Sequence, residues 1–451
     1  MADRPVIYRN HPPPVRSPRV PPLRPARRWR LDNGLEVVFV DGATVPVLSV
    51  ELLFNAGRPY QQLPLLDGIT NELMAEGTRR HNAAELEALF EQYGTHLARP
   101  GSRDTGNFAL STITRLADRT LPLLAEVLAE PALEQASFDR LIRRRRQALR
   151  EQLSDPDTIA YRLINTATFG PENPYGYVKE TAHYDRLTLA DVRAHHRNCY
   201  RADNATLVAI GQLDAATERL LNETFGQLPA GAGPREPSYF NRPPTGPARR
   251  PELLQHRRPQ SQQTMLRRGR PGIRIQDERY AALSVLETVL GGYFGSRLMR
   301  NIREDKGYTY GIETDLDTYR FDGTFEISAD VANENVAAVR REIDLEMDKL
   351  RQEPIGAAEL DMVRSYLIGG LAVSLDGPLA TGVRHRYAVQ KQYDAAEHLR
   401  RLDEVTRSVT AAELQDLAQD FLRPGRDWEV IVGGAAPLPG AKLVEESYRS
   451  A

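Results

Sequence analysis

Cysteine is almost missing from this sequence. Cys199 stands alone, which excludes an intramolecular disulfide framework and fits a reducing compartment. An excess of charge of either sign is also missing. Against 61 Asp+Glu there are 59 Lys+Arg, a formal net charge of −2, and this excludes the broad basic footprint of a nucleic-acid binder. No run of about 18 apolar residues occurs, so no membrane-spanning helix is expected. The stretch from Met1 to Pro25 lacks the apolar centre of a secretory signal. These absences predict a cytoplasmic protein that engages neither nucleic acid nor membrane.

What is present is ordinary globular material, 41% hydrophobic and 27% charged. At 451 residues the chain exceeds what one core usually holds, so more than one domain is expected. Residues 1–28 are rich in Pro and Arg, and Pro12-Pro13-Pro14 through Pro25 predicts an extended, polyproline-like arm. A strap along the protein surface is favoured over a recognition ligand for another domain. Regular structure begins at Trp29. Asp32-Asn33-Gly34 between apolar runs signals a hairpin, with strands over 35–40 and 47–54. Helical periodicity covers 65–75 and 83–93, with Gly94 as a C-cap, and again 116–129, 137–153 and 158–169; 108–113 is strand-like. Asp376-Gly377-Pro378 reads as the start of another helix, with the proline in its first turn.

The chain repeats itself. Thr188-Leu189-Ala190-Asp191-Val192 has the spacing of a helix-opening capping box and is followed by Arg201, a strand over 205–210 and Gly211. Displaced by 222 positions, Thr410-Ala411-Ala412-Glu413-Leu414 is followed by Arg423, a strand over 428–432 and Gly433. Gly57-Arg58-Pro59 and Gly269-Arg270-Pro271 each close an apolar stretch near the front of a half. The predicted fold is therefore α+β, with two tandem homologous domains over 29–228 and 260–451. Each has an antiparallel or mixed sheet packed with helices, and a Pro/Gly-rich linker over 229–259 joins them.

Leu290-Gly291-Gly292-Tyr293-Phe294-Gly295-Ser296-Arg297-Leu298, continuing through Asn301-Ile302-Arg303-Glu304-Asp305-Lys306-Gly307-Tyr308-Thr309-Tyr310, resembles the second-domain signature of the pitrilysin/insulinase zinc peptidases. Leu31-Asp32-Asn33-Gly34-Leu35, Glu76-Gly77-Thr78 and Asn173-Pro174-Tyr175-Gly176 resemble that family's first domain, so the likeness spans about residues 29–433. The resemblance implies a zinc motif, H-x-x-E-H, on a helix just before Glu-Gly-Thr. Two histidines four apart share one helical face and hold zinc, while the glutamate beside them activates water. The matching positions here are Gly68, Asn71 and Glu72. Neither histidine is there, and asparagine replaces the general base. The family's third ligand falls near Glu151, which by itself reads as a solvated helix residue.

The second-domain motif survives. The resemblance implies that Arg303 holds a peptide carbonyl and that Tyr310, seven positions on, stabilises the oxyanion of an amide under attack at another domain's zinc. Gly291, Gly292 and Gly295 match a glycine-rich loop that lets a substrate backbone pass closely. Read without the family, Arg303 is a surface ion-pair residue, Tyr310 packs in a strand, and the glycines end a helix. With the family, the chain is expected to bind no zinc and to be inactive alone. It would be the non-zinc-binding subunit of a heterodimer, whose homologous partner carries H-x-x-E-H, and short or unfolded peptides would bind as an added strand. The alternative is an inert scaffold or peptide-binding protein of the same fold, as in the core subunits of respiratory cytochrome complexes. Two further features carry bland expectations. His195, His196 and Cys199 offer too few ligands for tight zinc binding and are expected to pack, and Arg143-Arg144-Arg145-Arg146 is expected to be a solvated helix surface.

Overall fold

The computed structural model describes residues 18–42, 46–233, 235–237 and 250–445. The first part of the expected arm, including Pro12-Pro13-Pro14, and the centre of the expected linker lie outside the described residues.

The first half forms a five-stranded sheet from β1 (Arg27–Arg30), β2 (Glu36–Asp41), β3 (Val47–Phe54), β4 (Gly106–Ile113) and β5 (Ala205–Gly211), in the order β1-β2-β5-β3-β4. β1 and β2 form the expected hairpin, and Gly34 supplies the left-handed turn residue with φ 84°. β2 runs parallel to β5, whereas β3 is antiparallel to both neighbours. The helices are α1 (Leu66–Met74), α2 (Ala83–Gln92), α3 (Ala117–Ala129), α4 (Gln135–Gln152), α5 (Pro156–Phe169), α6 (Thr181–Arg186), α7 (Leu189–Cys199) and α8 (Ala215–Phe225). Alternate residues of β3, including Val50, Leu52 and Phe54, join Leu73, Leu121 and Leu221 in the core beneath α1, α3 and α8.

The second half contains β6 (Leu253–Arg257), β7 (Gln263–Pro271), α9 (Tyr280–Leu290), β8 (Thr309–Thr318), β9 (Gly323–Ala332), α10 (Val336–Gln352), α11 (Ala357–Val373), α12 (Gly377–Lys391), α13 (Ala395–Ser408), α14 (Ala411–Phe421), β10 (Trp428–Gly433) and β11 (Lys442–Leu443). Its sheet order is β11-β6-β10-β7-β9-β8, leaving β8 at an edge. β6 lies inside the segment expected to be linker and pairs in parallel with β10, so the second domain starts earlier than predicted. Two leucines were too short an apolar signal to reveal it. Gln255 completes the strand by donating to the carbonyls of Ala435 (3.3 Å) and Ala436 (3.0 Å).

The duplication is physical. Thr188 and Thr410 cap α7 and α14 through reciprocal boxes with Asp191 and Glu413, and β5 and β10 follow in turn. Pro156 and Pro378, also 222 positions apart, stand in the first turns of α5 and α12.

Those two helices are exchanged between the halves. α5 lays Ile159, Leu163 and Ile164 against Leu254, Trp428, Val430 and Val432 of the second sheet. α12 lies on β2 and β5, with Val389 over Val38, Leu53 and Val208. Between them Arg320, 4% exposed, donates to Gln390 O (2.7 Å), Asn55 Oδ1 (2.5 Å) and Tyr60 Oη (2.8 Å). Tyr319 stacks on Tyr175 (4.6 Å), whose hydroxyl donates to Asp104. The described end of the arm is a strap: His385 Nε2 donates to Arg24 O (2.9 Å) and Arg407 to Pro18 O (3.0 Å). Among the described residues no single helix is long and apolar enough to cross a membrane.

Candidate functional site

Residues Met299–Asp305 form a π-helical turn that carries Arg303 toward the start of β8. There the pairing of β8 with β9 is interrupted by a bulge between Thr309 and Ile312. The Thr309 hydroxyl accepts from the Gly311 N–H (3.1 Å) and donates to Asp330 O (2.5 Å), fixing the bulge. Bulges re-aim side chains, and Tyr310 points outward, 86% exposed. The Arg303 guanidinium lies over the Phe294 ring (4.6 Å), while neighbouring Lys306 takes Glu342 (2.6 Å). Arg303 and Tyr310 thus line one open groove of about 590 Å³, with Tyr308 and Asp330. Among the described residues Arg303 makes no ion pair, and Tyr310 does not pack into the strand, unlike the reading made without the family. Both side chains face the groove.

A second groove of about 540 Å³ adjoins the first through Asp330 and is lined by Gly291, Gly292, Tyr293, Phe294 and one face of β8. Gly295 lies outside its lining; a Cβ there would meet the Tyr293 ring at 2.8 Å. At Gly291 a Cβ would come within 2.5 Å of Thr314 Cγ2 and 2.9 Å of Thr314 N, so the loop lies flush on β8 because it is glycine. Below it, Glu287 accepts from the Thr314 hydroxyl at 2.5 Å. Burial pushes its carboxyl up to about 7, with the Thr314 hydrogen bond opposing the shift.

The first half holds the counterpart cavity, of about 350 Å³. α1 presents Gly68, Asn71 and Glu72 to it, and Arg145 enters from α4. Asn71 Nδ2 donates to Asn107 O (3.3 Å), and the Glu72 carboxylate lies 2.6 Å from the Arg145 guanidinium. These residues do not fit a zinc ion. Gly68 has no donor, Asn71 no basic oxygen to take a proton, and Glu72 is already neutralised by a fixed cation. Nor does Glu151 approach; it is exposed and accepts from Gln147 (2.9 Å) on its own helix. Arg145 faces Glu72 instead. The sequence held a signal for this, because Arg145 stands four positions from both Leu141 and Leu149, on the apolar face of α4. Two other arginines of the run are held in ion pairs, Arg144 with Glu76 (2.9 Å) and Arg146 with Asp185 (2.7 Å), and Arg143 is exposed.

Among the described residues no three His, Cys, Asp or Glu side chains converge. His195 Nε2 donates to Ala56 O (3.0 Å), and its Nδ1 lies 3.6 Å from Cys199 Sγ. His196 donates to Leu128 O (2.9 Å) and stacks on Tyr200. Burial lowers both imidazole pKa values and raises the Cys199 thiol to about 11. These three side chains pack. The degenerate cavity and the Arg303/Tyr310 groove share no lining residue, so within one chain the two motifs do not form a joint site.

Residues 186–367 match the family model described as the peptidase M16 inactive domain. Over 404 residues the chain is 22% identical to a Bacillus subtilis protein named uncharacterized zinc protease YmxG, covering 86% of this chain and 93% of that one. A Helicobacter pylori protein named non-peptidase homolog YmxG is 24% identical over 346 residues, 74% of this chain and 77% of its own. The solved peptidase M16 inactive domain from Pseudomonas fluorescens superposes with a TM-score of 0.82 at 22% identity, over 92% of this chain and 99% of that chain. In its duplicated fold, in its second-domain signature and in the residues that stand where a zinc motif would be, the chain fits the pitrilysin/insulinase (M16) peptidases of the non-zinc-binding type, and residues 186–367 match their inactive domain.

Proposed function

We propose that this chain is the complementary subunit of a heterodimeric zinc peptidase. A homologous partner bearing H-x-x-E-H provides the metal, and this chain lends Arg303 and Tyr310 to the partner's active site. The observation that carries the proposal is that Tyr310, exposed on its bulge, and Arg303, half-buried against the Phe294 ring, line one groove. A solvent-exposed tyrosine on a bulge costs hydrophobic burial and returns nothing to the isolated fold. In the assembled pair, the Arg303 fork holds a carbonyl of the bound peptide. The Tyr310 hydroxyl donates a hydrogen bond to the oxygen on which negative charge develops as the amide is attacked. Gly291 and Gly292 let an extended peptide lie close along β8, whose outer edge is unpaired in the sheet.

Steady-state kinetics of the reconstituted pair test the assignment. Tyr310→Phe should lower kcat by about 100-fold or more, as removal of an oxyanion donor does, and Arg303→Ala should lower kcat/KM. Unchanged kinetics in both variants would refute it. The Helicobacter pylori relative named a non-peptidase homolog favours a second reading, an inert scaffold of the same fold. On that reading no mixture with a zinc-bearing homologue cleaves peptide faster than the homologue alone.

A further inference from the structure

The duplication provides an internal control on surface composition. α4 and α11 are copies in register: Pro156 and Pro378 follow them at the same offset, and Phe138 and Leu141 are buried where Leu360 and Val363 are buried. On the outer face of α4 stand Arg140, Arg144, Gln147 and Glu151, all exposed. The same positions of α11 hold Met362, Tyr366, Gly369 and Val373. Met362 is 57% exposed, Tyr366 52% and Val373 74%. The fold therefore accepts a charged or polar side chain at every one of these positions, and the second copy carries a bare apolar stripe instead. Scattered apolar exposure is normal, but a stripe at helical spacing marks a surface that is covered in use.

The stripe is continuous with the Arg303 groove. Tyr366 packs on Tyr293 (5.1 Å), and the Tyr293 hydroxyl lies 3.7 Å from Met362 Sδ. Tyr293 adjoins Phe294, which carries Arg303 on its ring. A protein seated on α11 would stand over the glycine loop and beside Arg303 and Tyr310.

We infer that the outer face of α11, with Tyr293 and Phe294, is the docking surface for the zinc-bearing homologous subunit. This rests on the proposed function, because a second copy of this chain brings no H-x-x-E-H to the groove. The apolar face anchors the partner, and the groove beside it is closed by the same contact.

The test gives α11 the residues of its own copy: Met362→Arg, Tyr366→Arg and Val373→Glu together in the full chain. The probe is the H-x-x-E-H-bearing homologue from the same organism, titrated and followed by sedimentation velocity. The variant should retain the wild-type circular dichroism and thermal transition and weaken the heterodimer at least about 100-fold, as unpaired charge at the centre of an interface does. Arg303→Ala, in parallel, should bind as tightly as wild type while the pair loses activity, which separates docking from chemistry. Unaltered heterodimer affinity in the triple variant overturns the docking surface and leaves the proposed function standing. If the wild-type chain binds no such homologue, the proposed function and the docking partner both fall. Self-association abolished by the triple substitution would then reassign the face to a second copy.

Discussion

Arg320→Ala should destabilise both halves of the molecule together, by about 3–5 kcal/mol, the range for removing one partner from a buried charged network. The guanidinium comes from the turn between β8 and β9 and joins the first half, at Asn55 and Tyr60, to the exchanged helix α12, at Gln390. It makes three hydrogen bonds of 2.5–2.8 Å, to Gln390 O, Asn55 Oδ1 and Tyr60 Oη. Bonds to a charged donor are worth about 1.5–3 kcal/mol each; their sum is offset by the cost of burying the guanidinium. The substitution also takes a cation from beside Asp104, whose carboxyl is raised by burial and lowered by the Tyr175 hydroxyl and by Arg320. The two tryptophans make the assay specific, because Trp29 lies in β1 of the first sheet and Trp428 in β10 of the second. Urea unfolding of Trp29→Phe and Trp428→Phe backgrounds reads each half separately. The exchanged helices α5 and α12 bind each sheet to the other half, so both transitions should coincide and move together. A loss below about 1 kcal/mol, or a shift in one tryptophan only, would refute the account of the junction. Arg320→Lys keeps the charge without the planar fork and should fall between the two.

Glu287 is held with its pKa raised to about 7 from an ordinary 4.5, so the folded state binds a proton that the unfolded state releases. Stability should therefore fall as pH rises from about 4.5 to 7, by an amount approaching about 3 kcal/mol. Glu287→Gln should flatten that slope in thermal unfolding at pH 5 and pH 8; an unchanged slope would contradict it. At the degenerate cavity, Gly68→His, Asn71→Glu and Glu72→His together should not recruit stoichiometric zinc, because Arg145 remains against position 72. Adding Arg145→Glu should bring about one zinc per chain by elemental analysis, and full loading of the triple variant would show that Arg145 is not the obstacle.

The repeat was legible because capping boxes write helix starts in a few residues, as at Thr188 and Thr410, and the first hairpin was legible because Asn33-Gly34 dictates its own turn. The exchange of α5 and α12 was not. An apolar helix face such as Ile159, Leu163 and Ile164 records that it is buried, not which sheet buries it. β6 escaped notice because its burial depends on β10, which follows about 170 residues later in the chain. At the site, the residues standing at the zinc-motif positions and the Arg303/Tyr310 spacing could be read from the sequence. The bulge that turns Tyr310 outward could not, since it arises from the register of β8 on β9. Arg145 was readable in principle from its place between Leu141 and Leu149, but the run of four arginines obscured it.

The central claim is that Arg303 and Tyr310 serve a zinc held by another chain. Its most direct test is a continuous-variation experiment, in which this chain and the H-x-x-E-H-bearing homologue are mixed at constant total concentration and assayed for zinc and for cleavage of an unfolded peptide. The account predicts negligible cleavage and no stoichiometric zinc for this chain alone, a maximum of activity at equal amounts, one zinc per pair, and loss of that maximum with Tyr310→Phe. Full activity of the homologue by itself, unaffected by any amount of this chain, would contradict it.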